Sequence, residues 1–187
     1  YQGIEGDIEV IELMASSLSL IGVEDITLSF GNTAIFNAIC ESAELNNQDI
    51  ASLRDIFRRK SIPDLTDFFD SKEINNADKF HSLISLDGDE RILDKAAKIF
   101  KEFPTVIDAI KDLKKLHSFF KDSNLSLMFD LGEVKAYEYH NGLVFAAYHL
   151  NFSKALAQGG RYNSLSESFG SSRDATGFSF DLKFLIQ

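Results

Sequence analysis

Two stretches of the chain concentrate the residue types that can do chemistry. Residues 133–142, "EVKAYEYHNG", set a lysine, two glutamates, a histidine and two tyrosines within ten positions. On a strand, alternation sends Lys135, Tyr137 and Tyr139 to one face and Ala136, Glu138 and His140 to the other. A sheet face buried in a core has no use for so many polar groups, so the segment reads equally as a pocket wall. Residues 155–165, "ALAQGGRYNSL", add Gly159, Gly160, Arg161 and Tyr162. This second stretch reads either as a loop shaped for a substrate or as a turn that needs glycine to bend.

Other chemistry-bearing groups have plainer explanations. Asp87 and Asp89 in "LDGDE" are close together, but Gly88 follows the first aspartate directly, whereas a calcium loop needs its glycine at the sixth position. A solvated turn is expected there. Arg54, Arg58, Arg59 and Lys60 form a basic cluster that fits a solvated helix end or, alternatively, a contact surface for an acidic partner. His81 and His117 stand without neighbouring ligand types. No Walker loop, HExxH pair or Ser-His-Asp order is present, so spacing alone gives no catalytic constellation. No cofactor and no metal site is expected.

The elements that must position these groups fall into three stretches. In the first, Ile8, Ile11, Met14 and Leu18 recur at helical steps, and Gly22 is placed to end that helix. "EDITLSFGN" follows as a β-prone run, with Asn32 able to cap a helix carrying Ile35 and Ile39. Residues 45–121 read as helix after helix: Ile50, Leu53 and Phe57 share a face, Pro63 fits a first turn, and the pattern resumes after Pro104. The third stretch changes period. "LSLMFDL", "VKAYEYHNGLVFAAYHL" and "ATGFSFDLKFLI" are rich in aromatic and β-branched residues, and Asn141-Gly142 is a strong hairpin signal. The expected architecture is α+β: a mostly antiparallel sheet built from residues 1–44 and 122–187, interrupted by an all-helical insertion over 45–121.

Composition sets outer limits. The chain has 187 residues, 44% of them hydrophobic and 26% charged, the balance of a protein that folds around a core. No apolar run approaches the ~20 residues of a membrane helix, and no signal peptide is visible. A net charge of −10 argues against a nucleic-acid backbone as the main partner. The single Cys40 excludes an internal disulfide and a cysteine-rich zinc site, which fits a reducing cytoplasm.

"EVKAYEYHNGLVF", then "ALAQGGRYNSL", then "ATGFSFDLKFLI", with "GIEGDIEVIEL" at the start, resembles the core of histidyl-tRNA synthetases. It is more similar still to their non-synthetase paralogue, the regulatory subunit of ATP phosphoribosyltransferase. The resemblance implies a partial class II aminoacyl-tRNA synthetase-like core, and a histidine pocket formed by Glu5, Lys135, Tyr139, His140, Gly159, Gly160 and Tyr162. In it the two glycines let the backbone pass beside the bound amino acid, so the turn serves the pocket. Glu5 matches the acidic member of the family's glutamine-x-glycine-x-glutamate motif, with Gly3 at its glycine and Tyr1 at its glutamine.

The departures are as informative. Lys135 stands where a synthetase has an arginine, and Glu138, Tyr139 and His140 replace aspartate-tyrosine-tyrosine. In class II motif 3, Asp181 replaces a glycine, Lys183 a glutamate, and Phe184 the arginine that grips the nucleotide. Losing such an electrostatic clamp typically removes several kcal/mol of transition-state stabilisation. The resemblance therefore implies a catalytically silent regulatory subunit that binds the short catalytic subunit of ATP phosphoribosyltransferase and transmits feedback by histidine. No tRNA and no membrane are expected as partners, and a homodimer within a hetero-oligomer is expected for the full-length protein. A fragment of a divergent histidyl-tRNA synthetase is the alternative. Motif 1 and the arginine half of motif 2 are absent, so the chain is expected to be the C-terminal part of a longer protein.

Overall fold

The apolar stripe of the first helix decides how the sheet is covered. In a computed structural model, which describes residues 3–72, 74–134, 142–162 and 175–180, helix α1 runs Ile4–Leu20. It buries Ile4, Ile11, Met14 and Leu18. Gly22, at φ 84°, closes its end, with the Val23 amide donating back to the Leu18 carbonyl at 3.0 Å. Strand β1 (Thr27–Asn32) leads directly into α2 (Thr33–Ser42), where the Asn32 side chain accepts from the Ala34 amide at 3.0 Å. That cap is the one expected from sequence.

Helices α3 (Asn47–Arg59), α4 (Ile62–Asp70), α5 (Ala77–Leu83), α6 (Arg91–Ile99) and α7 (Pro104–Phe120) follow. Side-chain oxygens of Asn46 and Ser61 cap α3 and α4, and Pro63 lies in the first turn of α4, where its missing N–H costs little. Strands β3 (Ser126–Asp130), β4 (Leu143–Tyr148), β5 (Ala157–Arg161) and β6 (Thr176–Phe180) complete the described chain.

The all-helical expectation for 45–121 needs one correction. Asp87–Gly88 form a short strand, β2, antiparallel to β3. The buried Leu86 draws the α5–α6 connection against the free edge of β3, and the Leu86 carbonyl accepts from the Leu131 amide at 2.9 Å. The connection thereby satisfies an edge that would otherwise present unpaired backbone groups.

Strand order is β2-β3-β1-β4-β5-β6. Four of the five described pairings are antiparallel, and β1 with β3 is parallel. A parallel pair requires a long crossover, and helices α2 to α7 supply it. Phe30, Phe129 and Phe145 lie side by side on one sheet face, where Phe120 of α7 stacks on Phe30 with ring centroids 6.2 Å apart. Helix α7, although part of the 45–121 stretch, thus packs directly on the sheet, and one continuous core runs through the sheet and the helices.

Candidate functional site

Directly opposed residues on paired strands share a face, so the strand register sorts the candidate groups. On the helix-covered face, Phe30, Phe145, Gly159 and Phe178 form one row. On the other face, Gly31, Val144, Gly160 and Gly177 form the next, followed by Ser29, Ala146, Gln158 and Ser179. Apart from Val144 and Gln158, this second face is a floor of glycine, alanine and serine. A Cβ at Gly177 would lie 3.3 Å from the Tyr162 hydroxyl, so that phenol crosses directly over Gly177.

The two glycines of the sequence analysis are therefore not in a turn. They sit within β5, and they do different work. Gly160 belongs to the small-residue floor beside Tyr162. Gly159 belongs to the core face, where an added Cβ would meet the Phe145 ring at 2.6 Å and the Gly177 carbonyl oxygen at 2.3 Å. Its missing side chain makes room for Phe145. The sequence cue, two glycines before a polar run, suits both a turn and a tightly crossed strand.

Toward β3 the floor opens into a cleft of about 640 Å³. Ser29, Met128 and Tyr148 form its base, Lys60, Ile84 and Asp87 wall it from the helical stretch, and Glu133 closes one end. Gly31 makes the last contact possible, because a Cβ there would lie 2.9 Å from that of Glu133. Lys60 Nζ bonds Asp130 Oδ1 at 2.6 Å, joining the C-cap of α3 to the end of β3. Burial raises the Tyr148 phenol pKa, and the negative charges of Glu133 and Asp130 add to the effect. The phenol therefore stays protonated, able to donate a hydrogen bond.

The opposite side of β5 holds a polar pair that the sequence analysis missed. Asp7 is 1% exposed, and Arg161 donates to its Oδ2 from Nη2 at 2.6 Å and from Nε at 3.2 Å. Arg161 Nη2 also donates to the Gly3 carbonyl. Burial raises the Asp7 pKa, while Arg161 opposes that shift by hydrogen bond and charge, and Thr176 opposes it further. Asp7 Oδ1 has no hydrogen-bond partner among the described residues. The signal was available in the pattern. Asp7 falls on the apolar stripe Ile4, Ile11, Met14 and Leu18, and a carboxylate there calls for a buried cation.

The remaining candidates are placed as follows. Glu5 is exposed and lines a groove between α1 and α7 with Lys111 and Lys115, so it is not brought to Gly160 and Tyr162. Lys135, Tyr139 and His140, and the first arm of the expected hairpin, lie outside the described residues, as do Asp181, Lys183 and Phe184. The basic cluster of α3 is largely engaged within the chain. Arg54 donates to Asn37 at 2.7 Å and lies 5.3 Å from the centre of the Phe36 ring, while Arg58 and Arg59 pair with Asp55. His117 packs edge-on to Phe129, and His81 lies beside Phe69. Asp89 pairs with Arg91 at 2.6 Å. Among the described residues, no helix is long and apolar enough to cross a membrane.

Known proteins match this arrangement along nearly the whole chain. The regulatory subunit of ATP phosphoribosyltransferase from Chromohalobacter salexigens is 34% identical over 191 residues, covering 99% of this chain and 48% of its own length. The subunit of the same name from Pseudomonas fluorescens is 36% identical, covering 96% and 46%. The chain thus spans about half the length of these curated relatives. Among solved structures, an ATP phosphoribosyltransferase regulatory subunit/histidyl-tRNA synthetase from Bacillus halodurans superposes with a TM-score of 0.88 at 25% identity, over 100% of this chain and 50% of that one. Histidyl-tRNA synthetase from Nostoc sp. has the same fold, with a TM-score of 0.80 at 15% identity over 100% of this chain and 47% of that one. Residues 1–185 match the histidyl-tRNA synthetase family, and the chain belongs to that family, with a mixed α+β sheet of the class II type.

Proposed function

We propose that the full-length protein is the non-catalytic regulatory subunit of ATP phosphoribosyltransferase, needed for the first step of histidine biosynthesis and for its feedback control by histidine. The observation that carries this reading is the 34–36% identity to regulatory subunits across nearly all of the chain. Motif 3 agrees with it: Phe184 offers no positive charge to a triphosphate, and Asp181 adds repulsion. The partner on this reading is the short catalytic subunit, within a cytoplasmic hetero-oligomer in which the regulatory subunit is itself a dimer. Residues 1–44 and 122–187 are the synthetase-like core, and 45–121 is an insertion whose last helix, α7, the core has absorbed.

Histidine lies over the small-residue floor of the second sheet face, against Gly160 and beneath Tyr162. Lys135, Tyr139 and His140 also bind it on this reading. Two measurements on the full-length protein test these statements. Histidine-dependent exchange of pyrophosphate into ATP should be absent, and robust exchange would make the protein a synthetase instead. Calorimetry should show histidine binding that Tyr162→Phe or His140→Ala weakens roughly 5- to 150-fold, the cost of one lost buried hydrogen bond. Unchanged affinity in both variants would remove histidine from this face.

A further inference from the structure

Arg161 lies between the two residues that the proposed site uses, Gly160 and Tyr162, but its side chain goes to the opposite face of the sheet. There it is held at one end by Asp7 and the Gly3 carbonyl. Along its length it lies against Gly142, where an added Cβ would come within 3.3 Å of Arg161 Cδ and 3.6 Å of Arg161 Cβ. Gly142 is fixed from its other side as well, its carbonyl accepting from the Thr33 amide at 3.0 Å and the Thr33 hydroxyl at 3.3 Å. Tyr162, the next residue after Arg161, crosses Gly177 on the site face of the sheet. The Arg161 side chain therefore joins Gly142, and the backbone that carries Tyr162, to the buried start of α1.

We infer that Arg161 is a positioning residue, anchored by Asp7 and Gly3 and packed on Gly142, that sets Tyr162 in place over Gly177 for the ligand. The inference rests on the proposed histidine site, but not all of its consequences do. A rigid fork explains the choice of arginine. Its Nη2 serves Asp7 and Gly3 together while Nε holds Asp7, and a lysine cannot reproduce that arrangement. The 1%-exposed Asp7 has no solvent to turn to, so the anchor point is fixed. Precise support from behind is what keeps contact residues within the narrow tolerance that recognition needs.

The test uses the full-length protein with Arg161→Lys, Asp7→Asn and their combination. Ser61→Ala, which removes the α4 cap far along the chain, serves as a purely structural control. Arg161→Lys should weaken histidine binding about tenfold by calorimetry, and Asp7→Asn, which keeps the buried volume, about threefold. The double variant should be no weaker than Arg161→Lys, because both substitutions break one strut. In amide NMR spectra the Gly142 and Tyr162 resonances should move in both single variants and stay in Ser61→Ala. The inference is overturned if Arg161→Lys lowers the thermal midpoint as Ser61→Ala does while histidine affinity and those two resonances stay put. If the wild type binds no histidine, the site proposal fails, and the Gly142 and Tyr162 resonances alone decide whether the strut exists.

Discussion

Substituting alanine at Gly159 should damage the protein far more than the same change at Gly177, eighteen positions on. At Gly159 the new methyl would sit 2.3 Å from the Gly177 carbonyl oxygen and 2.6 Å from two atoms of the Phe145 ring, where ordinary contact begins at 3.4 Å. The shortfall is about 1 Å, and neither neighbour can yield cheaply. The carbonyl belongs to the adjoining strand, and Phe145 is 3% exposed in the core. Overpacking of this kind typically costs 1–3 kcal/mol, and parting β5 from β6 weakens hydrogen bonds worth about 1 kcal/mol each. Glycine-to-alanine changes at compatible sites are stabilising by roughly 0.4–1 kcal/mol, so the unfolded-state effect works against the loss and cannot hide it. A net destabilisation of about 3 kcal/mol is expected. At Gly177 the nearest atom is the Tyr162 hydroxyl at 3.3 Å, the far end of a side chain that can swing aside, so the loss should stay below about 1 kcal/mol. Urea melts of both variants in the full-length protein decide the matter. Equal stabilities, or a more damaging Gly177→Ala, would refute the assignment of Gly159 to the core face.

Three further outcomes follow from named contacts. Asn32→Ala removes the α2 cap at 3.0 Å and should cost about 1 kcal/mol in denaturant melts, with the largest loss of amide protection in the first turn of that helix. Burial raises the Asp7 carboxyl above its ordinary 3.8, so the folded state holds that proton more tightly than the unfolded chain does. Wild-type stability relative to Asp7→Asn should therefore be greatest at acid pH and decline from about pH 3.8 upward through the folded value; urea melts across pH that show the difference growing would contradict this. Burial pushes the Cys40 thiol up to about 12, so a thiol reagent at neutral pH should label it only as fast as the protein opens, and rapid labelling of the native state would contradict its placement.

Much of the fold was legible in the sequence because it rests on local signals. The apolar steps from Ile11 to Leu18, the Asn32 cap and Pro63 in a first turn each depend on residues within one or two turns of one another. What was not legible depends on long-range pairing. Asp87–Gly88 became a strand because β3 offered a free edge, a fact that no short window contains. Gly159 and Gly160 looked alike until the register placed one on each face. Glu5 matched a motif by spacing, yet the helix that begins at Ile4 turns it toward α7 and places Asp7 beside β5 instead. The Asp7–Arg161 pair spans most of the chain, and its only local trace was one carboxylate on an apolar stripe.

The regulatory reading is tested most directly by one activity measurement. The full-length protein is mixed with the short catalytic subunit of ATP phosphoribosyltransferase, and formation of phosphoribosyl-ATP is followed with and without histidine. Activity should appear with the mixture, be absent or much lower with the catalytic subunit alone, and fall when histidine is added. A catalytic subunit that works equally well with and without this protein would contradict the central claim.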